Sequence, residues 1–240
     1  MKILIANPNS SENVTDSIMN SVRKVPLHEE TELIPLTNPA GTHSIDCTFS
    51  DYQSSWSYQR AVIEKVKHDS IDAVVVAGFG NLGIFGLKEA LDIPVLGMSE
   101  TIMALAATLG HKFSVLTTLK SFVPAQEDLI KVYGMEGKCA SVRAIDVNVQ
   151  DSVNDRERTL EFLEREIKAM IEEDGCEVII LGSGGLSGYN EQLQERVGIP
   201  VLDPGQVTTK TAEMLVEMNI SHSKLRKFAF PPQEMDEYFV

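Results

Sequence analysis

The feature that most limits how this chain can fold is an internal duplication. The segment 71–83, IDAVVVAGFGNLG, recurs as 176–188, CEVIILGSGGLSG, at an offset of 105 residues. Downstream, DIPVL at 92–96 returns as GIPVL at 198–202, at an offset of 106, and residues 3–8 have a weaker echo in 114–118. Three matches in the same order at nearly one offset predict two similar halves.

Each half alternates short apolar runs with longer stretches of helical periodicity. Such runs are typical of strands that helices cover on both faces of a parallel sheet. The apolar spacing around residues 56–66 and 160–171 predicts two of the helices. We predict strands near 2–6, 31–36, 72–77, 93–97, 113–117, 140–147, 177–182 and 199–202.

The predicted fold class is therefore α/β, with two similar half-domains. Each has a mainly parallel four-stranded sheet flanked by helices, and a pseudo-twofold axis relates the two halves with the active-site cleft between them. We assign residues 1–98 plus 207–240 to the first half-domain and residues 99–206 to the second.

Composition narrows the class of partner. The 240 residues include 21 basic and 35 acidic side chains, for a net charge of −14, and 43% are hydrophobic. Such a chain is not expected to be disordered, and its negative charge disfavours nucleic acids and anionic membranes as partners. We expect a small-molecule substrate and a homo-oligomer.

The cysteines and the apolar runs predict a cytoplasmic protein. Cys47, Cys139 and Cys176 form no C-x-x-C pair and leave an odd thiol, which indicates neither a disulfide framework nor a metal site. The opening apolar run stops at residues 7–9, too early for a signal peptide, and no run reaches the length of a membrane span.

The candidate motifs follow the predicted strands. Ligands of parallel α/β sheets bind beyond the carboxyl ends of the strands, where small residues and helix N-termini offer hydrogen-bond donors. In the first half, the motifs are NPNSS at 7–11 and GFG at 78–80. In the second half, they are TT at 117–118 and SGG at 183–185. We expect residues 78 and 183 to lie on opposite sides of one cleft.

The segment 78–83 also fits the dinucleotide-binding pattern G-x-G-x-x-G, with Glu100 as a candidate ribose acceptor. That pattern belongs to the first strand-to-helix turn of its unit, whereas this segment follows the third predicted strand. A glycine-rich turn with another purpose is the preferred interpretation.

Ser183 has two interpretations, as a nucleophile or oxyanion donor and as a small residue in a tight turn. The nucleophile elbow G-x-S-x-G is absent, because residue 181 is leucine. Thr117 and Thr118 can cap the next helix or hold a carbonyl of a ligand. Pro8 fixes the turn at 7–11, whose asparagine amides can point into a cleft.

Three further segments have an open role. The segment from His43 to Asp46 is interpreted as a surface loop. Cys47 is the one cysteine that the order of elements places near the cleft, and it is interpreted as inert. The tail 228–232, FAFPP, is too aromatic for a free end and is expected to pack back onto the protein.

Together, these residues resemble the hydantoin and allantoin racemases of the aspartate/glutamate racemase superfamily. The likeness covers nearly the whole chain. Its motifs are NPNS at 7–10, AG and SI at 40–41 and 44–45, A-x-FGN-x-G at 77–83, FSVLTTL at 113–119, LG-x-GGL at 181–186 and AFP at 229–231.

This resemblance implies a proton transfer, without a cofactor, at a carbon next to a carbonyl. One cysteine in each half removes or returns a proton on opposite faces of the ring, and neighbouring backbone N–H groups stabilise the enolate. At the two family cysteine positions this chain has Gly78 and Ser183, which stand as the candidate catalytic positions. Neither can act as a resting thiolate base, so the two-thiol mechanism cannot operate in this sequence.

Three explanations remain open. The thiols were replaced to trap a substrate, the chain has diverged to another reaction, or it binds a ligand without chemistry. Arylmalonate decarboxylase, a relative with glycine at the first position, illustrates the second explanation, because decarboxylation needs one proton donor. As substitutes for a lost base the sequence offers His43, Asp46 and Glu100.

The resulting hypothesis is a racemase-family protein that binds a small hydantoin- or allantoin-like ring, with its turnover impaired by the loss of both thiols. A decarboxylase or a non-catalytic relative is the alternative. Substrate-binding residues are predicted at Asn7, Pro8, Asn9, Ser44, Ile45, Phe79, Gly80, Thr117, Thr118, Gly184 and Gly185.

Overall fold

The computed structural model describes residues 1–80, 82–147, 151–152, 155–233 and 235–239, and within them it contains two parallel sheets. The first has the order β2-β1-β3-β4 and the second the order β6-β5-β7-β8. The strands are β1 (Lys2–Asn7), β2 (Glu32–Thr37), β3 (Ala73–Val76), β4 (Val95–Gly97), β5 (Phe113–Thr117), β6 (Cys139–Ala144), β7 (Val178–Leu181) and β8 (Val201–Leu202).

The predicted fold class is confirmed, since each half has a four-stranded parallel sheet with helices around it. The central strands β3 and β7 are buried at every position, as continuous apolar runs predict. Strand β6 ends at Ala144, earlier than the expected limit of 147, because Asp146 has a φ of 60° and interrupts the extended backbone conformation. The pseudo-twofold relation stays a prediction.

The helices connect and cover these strands. A π-helical turn at 170–174 extends the sixth of them, and a 3₁₀ turn at 184–186 follows β7. They are α1 (Glu12–Val22), α2 (Thr48–Asp69), α3 (Ile84–Ala90), α4 (Met98–Leu109), α5 (Val123–Val132), α6 (Arg156–Ala169), α7 (Asn190–Val197) and α8 (Pro204–Glu217). None of the helices in these ranges is long and apolar enough to cross a membrane.

Helix α2 begins beside the first sheet and is the element that matters most for the site. Its buried face carries Tyr58, Val62 and Ile63, which pack in one cluster with residues of β1 and β3. The helix predicted around residue 56 is thus confirmed, but Trp56 itself is 51% exposed and lies outside the core cluster.

The two halves interlock. Helix α4 packs on β5 and β7 of the second sheet, whereas α8 packs on α4, α1 and the first sheet. Phe79, which follows β3 in the first half, lies in a core cluster with Ile102 and Val115. The domain boundaries at 98/99 and 206/207 remain a prediction.

Asp203, at the N-cap of α8, links both halves. Its carboxylate accepts hydrogen bonds from the Ser21 hydroxyl at 2.7 Å, the Gly188 N–H at 2.7 Å and the Gln206 N–H at 3.0 Å. The residue is 1% exposed, so these three donors are its partners in place of water. Asp203 therefore fixes the position of α1 relative to the loop after β7.

The chain after α8 returns to the first sheet. The Ser221 hydroxyl donates to the Asp92 carbonyl, and Lys224 donates to the carbonyls of Lys88 and Leu91. The Phe228 ring lies 6.0 Å from that of Phe85, centroid to centroid. The tail around residue 228 thus packs on α3, and Phe230 remains 56% exposed.

This attachment is expected to weaken in acid. The Nε2 atom of His222 accepts a hydrogen bond from the Val95 N–H at 2.7 Å, so the folded protein holds the ring neutral. Burial, with Lys88 and Lys224 nearby, lowers the pKa of His222 to about 4. Between pH 6.5 and 4 the unfolded chain then binds more protons, and stability falls as the pH falls. We expect a loss of about 1–2 kcal/mol between pH 7 and 4.5, since the ring is partly exposed to solvent.

Chemical unfolding at several pH values would measure this loss. The variant His222→Gln keeps an acceptor for the Val95 N–H but has no proton to take up, so its stability should fall less steeply than that of the unmodified protein. Identical pH dependence in the two proteins would contradict the assignment to His222.

Candidate functional site

A cavity of about 170 Å³ lies where the corners of the two halves meet. This is small compared with common ligand pockets of roughly 300 to 1,000 Å³ and suits a single ring better than a dinucleotide. Its lining from the first half is Asn7, Pro8, Asn9, Val14, Ser44, Ile45, Cys47, Thr48, Asp51, Ala77, Gly78, Phe79, Gly80 and Leu82. From the second half it is Ser121, Phe122, Ala125, Gln126, Leu129, Gly182, Ser183, Gly184 and Gly185.

Gly78 lies under a leucine side chain. A Cβ atom on Gly78 would be 2.2 Å from Cδ1 of Leu82 and 3.1 Å from Cγ of Pro8. Leu82 is buried and has a left-handed φ of 47°, an uncommon conformation for a residue with a side chain. The space that a side chain at position 78 would need is therefore filled by Leu82.

Ser183 caps the 3₁₀ turn that follows β7. Its Oγ accepts a hydrogen bond from the Gly185 N–H at 3.3 Å, and the residue is 7% exposed. This contact fits the interpretation of Ser183 as a turn residue. No histidine or carboxylate among the described residues is hydrogen-bonded to its hydroxyl.

The two asparagines of the loop after β1 differ in whether their side chains are free to bind a ligand. The Asn7 amide is buried and donates to Asn9 Oδ1, the Ser11 carbonyl and Thr15 Oγ1. It therefore holds the loop together. Asn9 is half-buried, and its Oδ1 also accepts from the Ser11 N–H. This leaves the Asn9 side-chain nitrogen as a donor at the cavity wall.

The structure does not place the two threonines at the cavity wall. Thr117 and Thr118 are fully buried. The Thr117 hydroxyl donates to the Gly182 carbonyl and accepts from the Gln126 amide, so it fixes the corner from behind. The wall there is made instead by Phe122, Gln126 and their neighbours on and before α5.

Gln126 brings an acceptor that has no partner. Its amide nitrogen donates to the Gly182 carbonyl at 2.8 Å, which fixes the orientation of the amide. Its Oε1 is buried and, among the described residues, has no hydrogen-bond donor. An unpaired buried acceptor costs free energy unless a ligand or water satisfies it.

Two of the cavity-lining residues that the structure describes carry titratable side chains, Cys47 and Asp51. Hydrogen bonds to Ser50 lower the pKa of the Cys47 thiol, which is exposed at the N-cap of α2. Burial raises the pKa of the Asp51 carboxyl, against the lowering effect of a hydrogen bond from Ser55.

The three substitute bases named from the sequence lie elsewhere. His43 and Asp46 are exposed and do not line the cavity. Glu100 forms a partly buried ion pair with Lys88 and accepts a hydrogen bond from the Gly97 N–H. That engagement also leaves Glu100 unsuited to bind a ribose.

Sequence reasoning missed Asp51 and Gln126. Both lie on helices that are distant in sequence from the glycine-rich corners, and no motif singles them out. The available signal for Asp51 was its position in the first turn of α2, directly after the loop that ends at Cys47. No group of three or more His, Cys, Asp or Glu residues suited to a metal ion occurs in the described ranges.

The fold and the cavity define a class of α/β protein whose site lies between two glycine-rich segments, one from each half. Comparison with known proteins identifies the family within that class. A family model described as Asp/Glu/Hydantoin racemase matches residues 3–212. The hydantoin racemase of Pseudomonas sp. (strain NS671) is 32% identical over 241 residues, which cover 99% of this chain and 94% of that protein.

Solved structures of similar proteins support the same family. The allantoin racemase from Pseudomonas fluorescens superposes with a TM-score of 0.91 at 37% identity, over 98% of each chain. A mutant of arylmalonate decarboxylase in the liganded form shares the fold, with a TM-score of 0.65 at 15% identity over 90% of this chain and 92% of that one. The chain belongs to the Asp/Glu/hydantoin racemase family, and its relatives support a racemase-type function.

Proposed function

We propose that this protein binds a small hydantoin- or allantoin-like ring in the cavity and that the family's two-thiol racemisation is impaired in it. The observation that carries the proposal is the pair of glycine-rich corners at 78–80 and 183–185, which line one cavity and carry no thiol at positions 78 and 183. A cytoplasmic location, independence of a cofactor and homo-oligomeric assembly remain predictions.

The polar groups of the cavity suit a ring that carries both carbonyl and N–H groups. Asn9 offers an amide donor, and the backbone N–H groups of the two corners are further candidates for binding carbonyl oxygens. Gln126 Oε1 needs a donor, which a ring N–H can supply. Phe79 and Phe122 add apolar surface for a planar ring.

Binding and proton exchange together test this proposal. We expect allantoin or a 5-substituted hydantoin to raise the melting temperature in a concentration-dependent way, whereas NADH should not. Racemisation, followed by chiral chromatography, should be far slower than in a two-thiol relative measured alongside. If neither ring compound binds at millimolar concentration, the proposed ligand class is wrong.

A decarboxylase is a second candidate, because decarboxylation creates the carbanion and needs one proton donor. Gly78 favours it, since that position has no room for a second acid while Leu82 covers it. Release of carbon dioxide from a substituted malonate would support this candidate over the first.

A further inference from the structure

We propose that the Asp51 carboxyl is the group that exchanges a proton with the bound substrate, and that it acts from one wall of the cavity only. The inference rests on the proposed function, since it concerns the same cavity and the same ligand class. It adds a catalytic residue that takes the place of the thiols absent at positions 78 and 183.

The geometry of α2 brings this carboxyl to the reacting corner. Asp51 lies in the first turn of the helix, and its Oδ1 accepts a hydrogen bond from the Ser55 hydroxyl at 2.8 Å. Its Oδ2 lies 3.6 Å from the point where a Cβ on Gly80 would be. One oxygen is therefore held in place by Ser55, and the other lies against the glycine-rich corner.

Glycine at position 80 leaves room for this approach. A Cβ at position 80 would lie 3.3 Å from Cγ of Leu82 and 3.6 Å from Oδ2 of Asp51. Without that atom, the carboxyl and a planar ring can both approach the backbone of the corner. The absence of a side chain at position 80 thus leaves the path from Asp51 to a ligand open.

The environment of Asp51 suits a proton carrier. An exposed aspartate is a weak base near neutral pH, because its pKa lies near 4. Burial raises the pKa of the Asp51 carboxyl, and no neighbouring cation among the described residues lowers it. A carboxyl in such a setting is a stronger base when ionised and a usable acid when protonated.

The step balances without a co-reactant. The Asp51 carboxylate takes the proton from the carbon next to the ring carbonyl, so that a C–H bond breaks and an O–H bond forms. The electron pair moves into an enolate, whose negative oxygen backbone N–H groups can stabilise. In the reverse step the carboxylic acid returns a proton to the same carbon.

Among the described residues, the cavity lining from the second half offers no matching acid. Ser183 is an alcohol whose Oγ accepts from the Gly185 N–H, and it has no ionisable partner among the described residues. The proton therefore leaves and returns on one face of the ring. The expected result is exchange of the hydrogen with solvent while the configuration is retained.

The experiment follows a chiral 5-substituted hydantoin in deuterated water, with the uncatalysed rate subtracted. We expect the unmodified protein to exchange the α-hydrogen at least ten times faster than it racemises the compound. Asp51→Asn should lower the exchange at least 100-fold and change the dissociation constant of the hydantoin less than threefold. Ser55→Ala should shift the midpoint of the pH–rate profile upward, because the Ser55 hydrogen bond lowers the pKa of Asp51.

Asp46→Asn is the matched control, because it removes the same charge from an exposed residue outside the cavity, and it should leave exchange unchanged. Asp51→Glu serves if Asp51→Asn does not fold, and should retain measurable exchange. Absence of hydantoin binding by the unmodified protein would overturn the proposed function. Binding without exchange, exchange that survives Asp51→Asn or depends on Cys47 instead, or racemisation as fast as exchange would overturn the assignment of Asp51 alone.

Discussion

The triple variant Gly78→Cys, Leu82→Ala, Ser183→Cys is expected to racemise a 5-substituted hydantoin at least 100-fold faster than the unmodified protein. Inversion needs an acid and a base on opposite faces, and positioned proton-transfer groups contribute about 10² to 10⁴ in rate. Positions 78 and 183 both line the cavity, one from each half of the chain. Chiral chromatography over time measures the effect.

The leucine substitution is essential to this prediction. A Cβ at position 78 would meet Leu82 Cδ1 at 2.2 Å, so the double variant without Leu82→Ala must displace a buried side chain. We expect that double variant to be less active than the triple one. Leu82→Ala alone should lower stability by roughly 2–4 kcal/mol and give no racemisation.

Two outcomes would contradict this account. Racemisation by Leu82→Ala alone would show that the leucine, and not the missing thiols, limits the reaction. A triple variant that folds and binds the hydantoin but does not racemise it would show that residues 78 and 183 do not face the same carbon.

Asp203→Ala is expected to be among the most destabilising single changes in the protein, at about 3 kcal/mol. The substitution leaves the Ser21 hydroxyl and the N–H groups of Gly188 and Gln206 without their acceptor in the interior. It also removes the N-cap of α8. Thermal unfolding should show a decrease of roughly 6–12 °C in melting temperature.

Asp155→Ala provides the matched control. Asp155 is also an N-cap aspartate, but it is exposed and its side chain accepts from one backbone group, the Arg158 N–H. We expect a cost of about 1 kcal/mol there. Equal effects at the two positions would mean that Asp203 acts only as a helix cap and does not tie the halves together.

The duplication and the apolar runs were enough to predict both sheets. A buried strand such as β3 is a continuous apolar stretch because helices cover both its faces, and this pattern is local. The loops after the strands could be located for the same reason, since the carboxyl ends of parallel strands share one edge. Asn9, Gly78, Gly80 and Ser183 were therefore named from the sequence and do line the cavity.

Thr117 and Thr118 show what a pattern of adjacent residues cannot predict, which is the direction of a side chain. Thr117 ends β5 and Thr118 follows it, yet a side chain at the end of a strand can point into the ligand space or back into the core. The direction is set by what packs behind it, and Gln126 on α5 engages the Thr117 hydroxyl from that side. Nothing in the sequence of β5 indicates which residue of α5 packs behind it.

The sequence by itself determined the two-sheet architecture, the corners of the site and the absence of thiols at positions 78 and 183, because each depends on residues adjacent in the chain. Tertiary structure alone decided that Leu82 covers Gly78 and that Asp51 faces the same corner. These contacts depend on how a helix and a turn pack against a strand end. That packing follows from the burial of whole surfaces, and no short pattern of residues encodes it.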